Sequence, residues 1–293
     1  MQSIIELQDV SKIYGFGNAT TVALDAVTLS IKKGEFIAIM GPSGSGKSTL
    51  LNTIGLLDRP THGTYTLGGR LVSKLRSGRL AKARRDHIGF VFQSFNLLPR
   101  LSVIENVALP LAYKGVGQAK RLRRASEMLS LVGLEDREYF LPRTLSGGQA
   151  QRAAIARALI NSPSIIIADE PTGNLDSHSS RVVMEILAGL HKDGNTILMV
   201  THNPDLTRYA TRVLYMYDGA ILYDESTKLG EVPERAKNGG QPEKRDDEEE
   251  QLASISAFIQ DIPERPAPKK TSLKDKKKRG SSTKKTSTKK GAR

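Results

Sequence analysis

The chain contains no cysteine and no tryptophan among its 293 residues. Without a thiol there is no disulfide, no thiolate metal ligand and no sulfur redox chemistry, which suits a reducing compartment. Long apolar runs are missing too: no window approaches the roughly 18 uninterrupted apolar residues of a membrane span. The opening MQSIIELQDV has neither the cationic stretch nor the apolar stretch of an export signal. The chain is therefore expected to be neither exported by a signal peptide nor membrane-spanning. What it does have is 38% hydrophobic residues in 32.0 kDa, enough to build one large domain or two small ones.

The net charge of +13 suggests a partner made of phosphates or acidic lipid until its distribution is examined. Residues 265–293 hold thirteen Lys and Arg against one acid, Asp275, a net of +12, which leaves +1 for residues 1–264. The body is nearly neutral and the basicity is a tail. Periodic patterning fades near Ser226, after VLYMYDGAILYDE, in which Asp218-Gly219 signals a primed hairpin turn. Residues 226–293 are expected to form a largely disordered charged tail, with an acidic knot DDEEE at 246–250 and basic character from 265. Within it QLASISAFIQDI sets Leu252, Ile255, Phe258, Ile259 and Ile262 on one helical face, a transient helix or a docking element.

Inside the body, strand-like and helix-like patterns alternate, which predicts an α/β domain. The apolar run Phe36–Met40 leads into GPSGSGKST and then the helical STLLNTIGLL, giving strand, glycine loop and helix in the order a P-loop requires. Gly41, Gly44 and Gly46 let backbone N–H groups at Ser43, Ser45 and their neighbours wrap phosphates. Lys47 neutralises β and γ oxygens, Ser48 ligates Mg²⁺, and Thr49 continues the helix entrance. The run IIIADE ends in Asp169, suited to hold Mg²⁺ through water, and Glu170, suited to polarise an attacking water. Another strand pattern, Thr196–Val200, delivers His202 to the same sheet edge, where ligands of open α/β sheets gather. A second glycine pair stands in LSGGQ, residues 145–149, ahead of the helical pattern AQRAAIARAL. A serine and two glycines at a helix entrance also make an anion grip.

GPSGSGKST, LSGGQ and IIIADE in this order resemble the nucleotide-binding domain of ATP-binding cassette (ABC) transporters, over roughly residues 3–225. The resemblance implies a P-loop NTPase core sheet with an antiparallel β subdomain and an inserted α-helical subdomain at about residues 94–144, within an ATP-binding domain spanning 1–225. It implies an ATPase using ATP and Mg²⁺, in which two copies pack head to tail so that the P-loop of one and the signature of the other clamp one ATP. On that basis Ser146, Gly147, Gly148 and Gln149 act across the interface, and Asp176 in GNLD links the two sites. Gln93, after HIGFVF, senses Mg²⁺ and the attacking water, and His202 is the switch histidine. Tyr14 in SKIYG resembles the aromatic that stacks on adenine, with Phe16 two residues away. Ala150 stands where glutamine is common in this branch.

The stretch FNLLPRLSVIENVALPLAYKG begins with a capping box, Ser102 and Glu105, and a second helical pattern runs to Leu131. In the resembled family this helical subdomain forms a groove for a coupling helix of a separate transmembrane permease subunit, which places the protein on the cytoplasmic face of the cell membrane as a peripheral subunit. The wording GLLDRPTHGTY, FQSFNLLPRLSVIENVALPL and ADEPTGNLD is most similar to the macrolide-export, lipoprotein-release and cell-division branch. Two other readings stand beside it: a soluble ABC ATPase acting on nucleic acid or ribosomes, and a nucleic-acid binder defined by the tail. This chain has one compact cassette, whereas condensin-type members interpose a long coiled coil and ribosomal members carry two cassettes. The tail lacks interleaved aromatics and any reader motif. Contact with an anionic membrane surface, contact with nucleic acid, and a solvated appendage all fit its composition.

Overall fold

Three short runs in the sequence are apolar at nearly every position: β3 (Phe36–Met40), β7 (Ile165–Asp169) and β8 (Thr196–Val200). A strand with no polar face needs cover on both sides, and alternation divides these side chains between two cores. Ile37, Ile39, Ile165, Ile167, Leu198 and Val200 enter one. Phe36, Ala38, Met40, Ile166, Ala168, Ile197 and Met199 enter the other. The computed structural model describes residues 3–16 and 19–239. In it these strands form the centre of a six-stranded sheet, completed by β6 (Ile88–Phe92), β9 (Arg212–Tyr217) and β10 (Ala220–Ser226). The spatial order is β10-β9-β3-β8-β7-β6. All neighbours are parallel except β9 and β10, which form the hairpin expected at Asp218-Gly219. Both turn residues have positive φ, 44° and 82°, as a type I′ turn needs.

The first core lies under a second, antiparallel sheet. Long strands β1 (Ser3–Phe16) and β2 (Ala19–Lys32) pair with each other, and β1 also pairs with β4 (His62–Leu67), which leads to the short β5 (Arg70–Leu71). Helix α1 (Lys47–Ile54) runs through this core. Its last turn is held by buried Tyr65 of β4, whose hydroxyl donates 2.7 Å to the Ile54 carbonyl.

The second core is closed by α5 (Gly147–Leu159) and α6 (Ser177–Lys192). On α5 leans a helical layer, α3 (Val103–Tyr113) and α4 (Gln118–Leu131), whose own cluster includes Val103, Val107, Ala125 and Leu129 with Ala153 and Ala156 of α5. The capping box of Ser102 and Glu105 forms as expected, with the Ser102 N–H donating 2.8 Å to Glu105 Oε2. Helix α2 (Ser77–His87) enters β6 directly. Among the described residues no helix is long and apolar enough to cross a membrane.

One boundary needs correction. Folded contacts continue past Ser226, where patterning fades. The Thr227 N–H donates 2.9 Å to the Thr211 carbonyl and the Gly230 N–H 2.7 Å to that of Arg208. A short helix, α7 (Glu234–Lys237), then buries Ala236 completely in the second core. Arg235 lies 3.6 Å over the Tyr223 ring and pairs with Glu225 at 3.3 Å. One buried alanine and a cation over an aromatic ring leave no periodic trace, which is why pattern reading stops early. DDEEE, the apolar island and the basic segment lie outside the described residues. Because Ala236 has no room for solvent, Ala236→Asp should cost about 1–3 kcal/mol and lower the thermal midpoint, and a chain ending after Ser226 should melt earlier than one ending after Gly239. Equal midpoints for the two truncations would remove residues 227–239 from the folded body.

Candidate functional site

The glycine loop between β3 and α1 is shaped by close approach. A Cβ on Gly41 (φ +144°) would meet the Met216 carbonyl oxygen at 2.2 Å, and one on Gly46 (φ +96°) the Ala23 oxygen at 2.4 Å. Only glycine permits the left-handed turns here and lets the loop sit against β2 and β9. The Lys47 ammonium folds back into the loop, donating to the carbonyls of Gly41 (2.9 Å) and Pro42 (2.6 Å). Burial lowers its pKa, and the charges of Glu170 and Asp169 oppose that shift.

The parallel strands deliver the other groups to this loop. Val200 of β8 is in register with Ile39 of β3 and Asp169 of β7. Just beyond, the Glu170 N–H donates 3.0 Å to the Val200 carbonyl and the Thr201 N–H 3.2 Å to that of Ile39. Glu170 adopts φ +45°, a left-handed conformation that costs a non-glycine residue on the order of 1 kcal/mol or more. This turn aims its carboxylate at His202, and Oε1 lies 3.2 Å from Nδ1. A cleft of about 460 Å³ is lined by Gly41, Ser43, Gly44, Gly46, Lys47, Ser48 and Thr49 together with Glu170 and His202.

Gln93 follows β6 and reaches the same edge. Its Nε2 donates to Asn174 Oδ1 at 3.4 Å, and Asn174 Nδ2 donates back to the Gln93 carbonyl at 3.1 Å. Gly173 separates amide from carboxylate: a Cβ there would lie 2.7 Å from Gln93 Nε2 and 3.3 Å from Glu170 Oε2. Tyr14 stands apart from the cleft lining. Its hydroxyl donates 2.8 Å to Asp58 Oδ2, and Lys12 Nζ sits 4.8 Å from its ring centroid. The adjacent cleft wall is Thr21, Val22 and Ala23 of β2, and the side chain of Phe16 lies outside what the structure describes.

The signature residues open elsewhere. Ser146, Gly148 and Gln149 line a different cleft with Arg152, His178 and Ser179. Ser146 caps α5 in a capping box with Gln149, its Oγ accepting from the Gln149 N–H at 3.3 Å and its own N–H donating 3.0 Å to Gln149 Oε1. Within one chain, the two glycine grips do not share a cavity.

Comparison with known proteins shows the family. The family profile for ABC transporters matches residues 24–173. The chain belongs to the ABC transporter family. It is an ATPase of the ABC cassette type. It is 50% identical over 222 residues to the uncharacterized ABC transporter ATP-binding protein YvrO of Bacillus subtilis, covering 76% of this chain and 97% of that one. It is 46% identical over 253 residues to the macrolide export ATP-binding/permease protein MacB of Marinobacter nauticus, covering 86% of this chain but 39% of that relative. A solved dimeric structure of the ATP-binding cassette MJ0796 in a post-hydrolysis state, bound to ADP and Pi, superposes with a TM-score of 0.71 at 46% identity over 76% of this chain and 98% of that one.

Several residues of this ABC cassette have duties within their own chain beyond those that motif reading assigns. Gly148 has a packing duty inside its own chain, since a Cβ there would meet Ser179 Oγ at 2.5 Å. Asp176 caps α6, accepting from the Ser179 N–H at 2.9 Å and from its hydroxyl at 2.7 Å, and these bonds hold its pKa below the usual carboxylate range. Arg157 of α5 donates 2.8 Å to the carbonyl of Phe95, fastening the loop after Gln93. Buried Gln151 donates 2.6 Å to the Pro171 carbonyl and ties α5 to the turn after Glu170. The LSGGQAQRAAIAR pattern marked these last two only as helical positions.

Burial raises the pKa of Asp169, the Glu170 charge adds to the shift, and Lys47 opposes it. An acid raised in the folded state makes the protein less stable above that pKa, and the deficit shrinks as pH falls from it toward the ordinary carboxylate value of the unfolded chain. Asp169→Asn should therefore raise the thermal midpoint of the nucleotide-free protein at neutral pH while abolishing ATPase activity, and the gain should shrink on acidification. A midpoint lowered at neutral pH would mean that attraction to Lys47 outweighs burial and the Glu170 charge.

Proposed function

We propose that this chain is the ATP-hydrolysing subunit of a transporter or mechanical lever, that two copies pair head to tail, and that the pair drives a separate membrane permease from the cytoplasmic face. The observation that carries the reading is the separation of the two grips: one cleft gathers glycine loop, lysine, glutamate and histidine, and the signature residues line another. The glycine-loop cleft of each copy would become a complete phosphate clamp when a second copy lays Ser146 and Gly148 against it, and the MJ0796 cassette to which this chain is similar is dimeric in its solved structure.

In that arrangement the backbone N–H groups of residues 41–49 and the dipole of α1 hold the phosphates. Lys47 exchanges its own loop's carbonyls for β and γ oxygens. Glu170 Oε accepts a proton from the attacking water, while His202, held 3.2 Å away, orients that carboxylate and faces the γ-phosphate. Gln93 positions the water from the opposite side of Gly173, and Asp176 relays contact between the two sites. Tyr14, or Phe16 beyond it, would flank the adenine. The residues present also fit Mg²⁺: two adjacent carboxylates at a strand end, one with a raised pKa, favour a cation, and Ser48, Asp169 and Gln93 would hold it. Mg²⁺ bound with the nucleotide supplies neutralisation of phosphate charge.

The permease reading rests on a groove of about 840 Å³ lined by Leu57, Phe90, Phe92, Leu109, Pro110 and Tyr113, with Lys82 and Arg85 at its rim. An apolar trough of this kind takes an amphipathic helix, and the relative named for both ATP-binding and permease functions is more than twice as long as the part matched here.

Glu170→Gln should leave ATP binding intact, reduce turnover by about 10²–10⁴-fold and trap a dimer detectable by mass in ATP. Near-normal turnover would take Glu170 out of the role of base. A mixing experiment tests the shared site. Lys47→Ala and Ser146→Arg should each be inactive alone, and their mixture should recover part of the activity, because a mixed dimer places both lesions in one site and leaves the other whole. A Ser146→Arg chain that fails to bind ATP at all would put the signature in its own chain's pocket.

A further inference from the structure

The near-neutrality of residues 1–264 conceals a strong polarisation. Residues 74–124 carry twelve Lys and Arg against two acids, Asp86 and Glu105, a net of +10, whereas the rest of residues 1–239 carries a net of −3 and the balance of the negative charge lies in residues 243–264, outside the described residues. Folding gathers much of this excess on one ridge. At its first side Lys82 and Arg85 of α2 edge the apolar groove described above. At its second side Lys114, Lys120, Arg123 and Arg124 surround another concavity, of about 470 Å³, floored by Leu111, Val116 and Ile160.

The two hollows meet at Asn161, which lines both and donates 3.0 Å to the Arg85 carbonyl. Arg85 Nη1 in turn donates 3.2 Å to the Tyr113 carbonyl, so the C-terminal ends of α2 and α3 are tied together under the ridge. The second hollow has a single acid, Glu127, and it is engaged by Arg124 at 2.8 Å and Arg123 at 3.7 Å. Lys114 shares Asp86 with Arg85, at 3.9 Å and 2.9 Å. At the crest Tyr113 is 73% exposed, an amphipathic ring presented to whatever the ridge meets.

We propose that this ridge, formed by the ends of α2, α3 and α4, is a docking surface for anionic phospholipid headgroups. Lys114, Lys120, Arg123 and Arg124 receive the phosphates, the apolar floor of the hollow receives the glycerol and upper acyl carbons, and Tyr113 lies at the headgroup level, where aromatic rings concentrate. The charge asymmetry selects an anionic surface, and the apolar floor within the ring of cations favours a lipid over a nucleic-acid strand, which binds along stacked rings and a continuous basic track. The placement rests in one respect on the proposed function: a groove holding a permease helix sets the adjoining ridge against the bilayer. A second, independent attachment built on helix ends would fix the tilt of the cassette under the permease.

The absence of cysteine provides a clean test in the full-length chain. Gly117 is exposed, has ordinary negative φ and would carry a Cβ with nothing within 4 Å of it, so Gly117→Cys accepts an environment-sensitive fluorophore beside the hollow. Without any permease present, vesicles of phosphatidylcholine containing phosphatidylglycerol should shift the label to the blue, vesicles of phosphatidylcholine alone should not, and salt should reverse the shift. Adding Lys120→Gln, Arg123→Gln and Arg124→Gln should raise the vesicle concentration needed for half the shift by about a hundredfold and leave ATPase activity in solution unchanged. The basic tail is common to both proteins, and the label reports only α4. An unchanged titration in the triple variant, an equal shift with phosphatidylcholine alone, or a stronger response to an RNA oligonucleotide would each overturn the proposal. ATPase measurements on the same samples are independent of this outcome, so failure of the ridge and failure of the ATPase reading are separable.

Discussion

Parallel register in the central sheet is the constraint on which the site depends. Because β3, β8 and β7 run the same way and pair Ile39 with Val200 and Val200 with Asp169, their ends arrive together at one edge. The glycine loop, the Asp169-Glu170 pair and the Thr201-His202 pair are the next residues in each chain segment. A slip of one residue in any strand would exchange the side chains feeding the two cores, placing Ile37 and Ile39 where Phe36, Ala38 and Met40 belong. Core packing therefore fixes the catalytic geometry indirectly, through the register it enforces.

Around that edge the chain accepts local cost. Glu170 holds a positive φ, Asp169 is half-buried beside a like charge, and Lys47 is half-buried among carbonyls. Each is unfavourable in isolation, and each is a group that charged phosphates or a cation would satisfy. Glycines supply the remaining freedom by close approach: Gly173 lets Gln93 and Glu170 face one another, and Gly148 lets α5 meet the start of α6. The two glycines of the signature thus differ from a bare anion grip. One serves packing within its own chain while the capping box of Ser146 and Gln149 shapes the helix entrance offered outward.

Charge is distributed by function as well as by solubility. The Asp169-Glu170 pair stands at the sheet edge, where phosphate and a cation would balance it, and Lys and Arg are frequent on α2 and α4. The residues after β10 add a further link. Their bond from Gly230 to Arg208 clasps the turn Pro204–Tyr209, which begins two residues after His202.

Local chemistry made much of this legible beforehand. Phe36–Met40 before GPSGSGKST, the run IIIADE, the turn at Asp218-Gly219 and the capping box at Ser102 are contiguous patterns whose backbone consequences are short-range, so sequence alone determines them. What sequence left open are relations between distant segments: Gly173 between Gln93 and Glu170, Arg157 holding the loop at Phe95, Ala236 sealed into the second core, Tyr14 bonded to Asp58, and the basic side chains of α2 and α4 meeting at Asn161. None has a period or a motif. Each exists only because tertiary packing brings together groups tens of residues apart, and the free energy that selects those neighbours is that of burying the two cores as a whole.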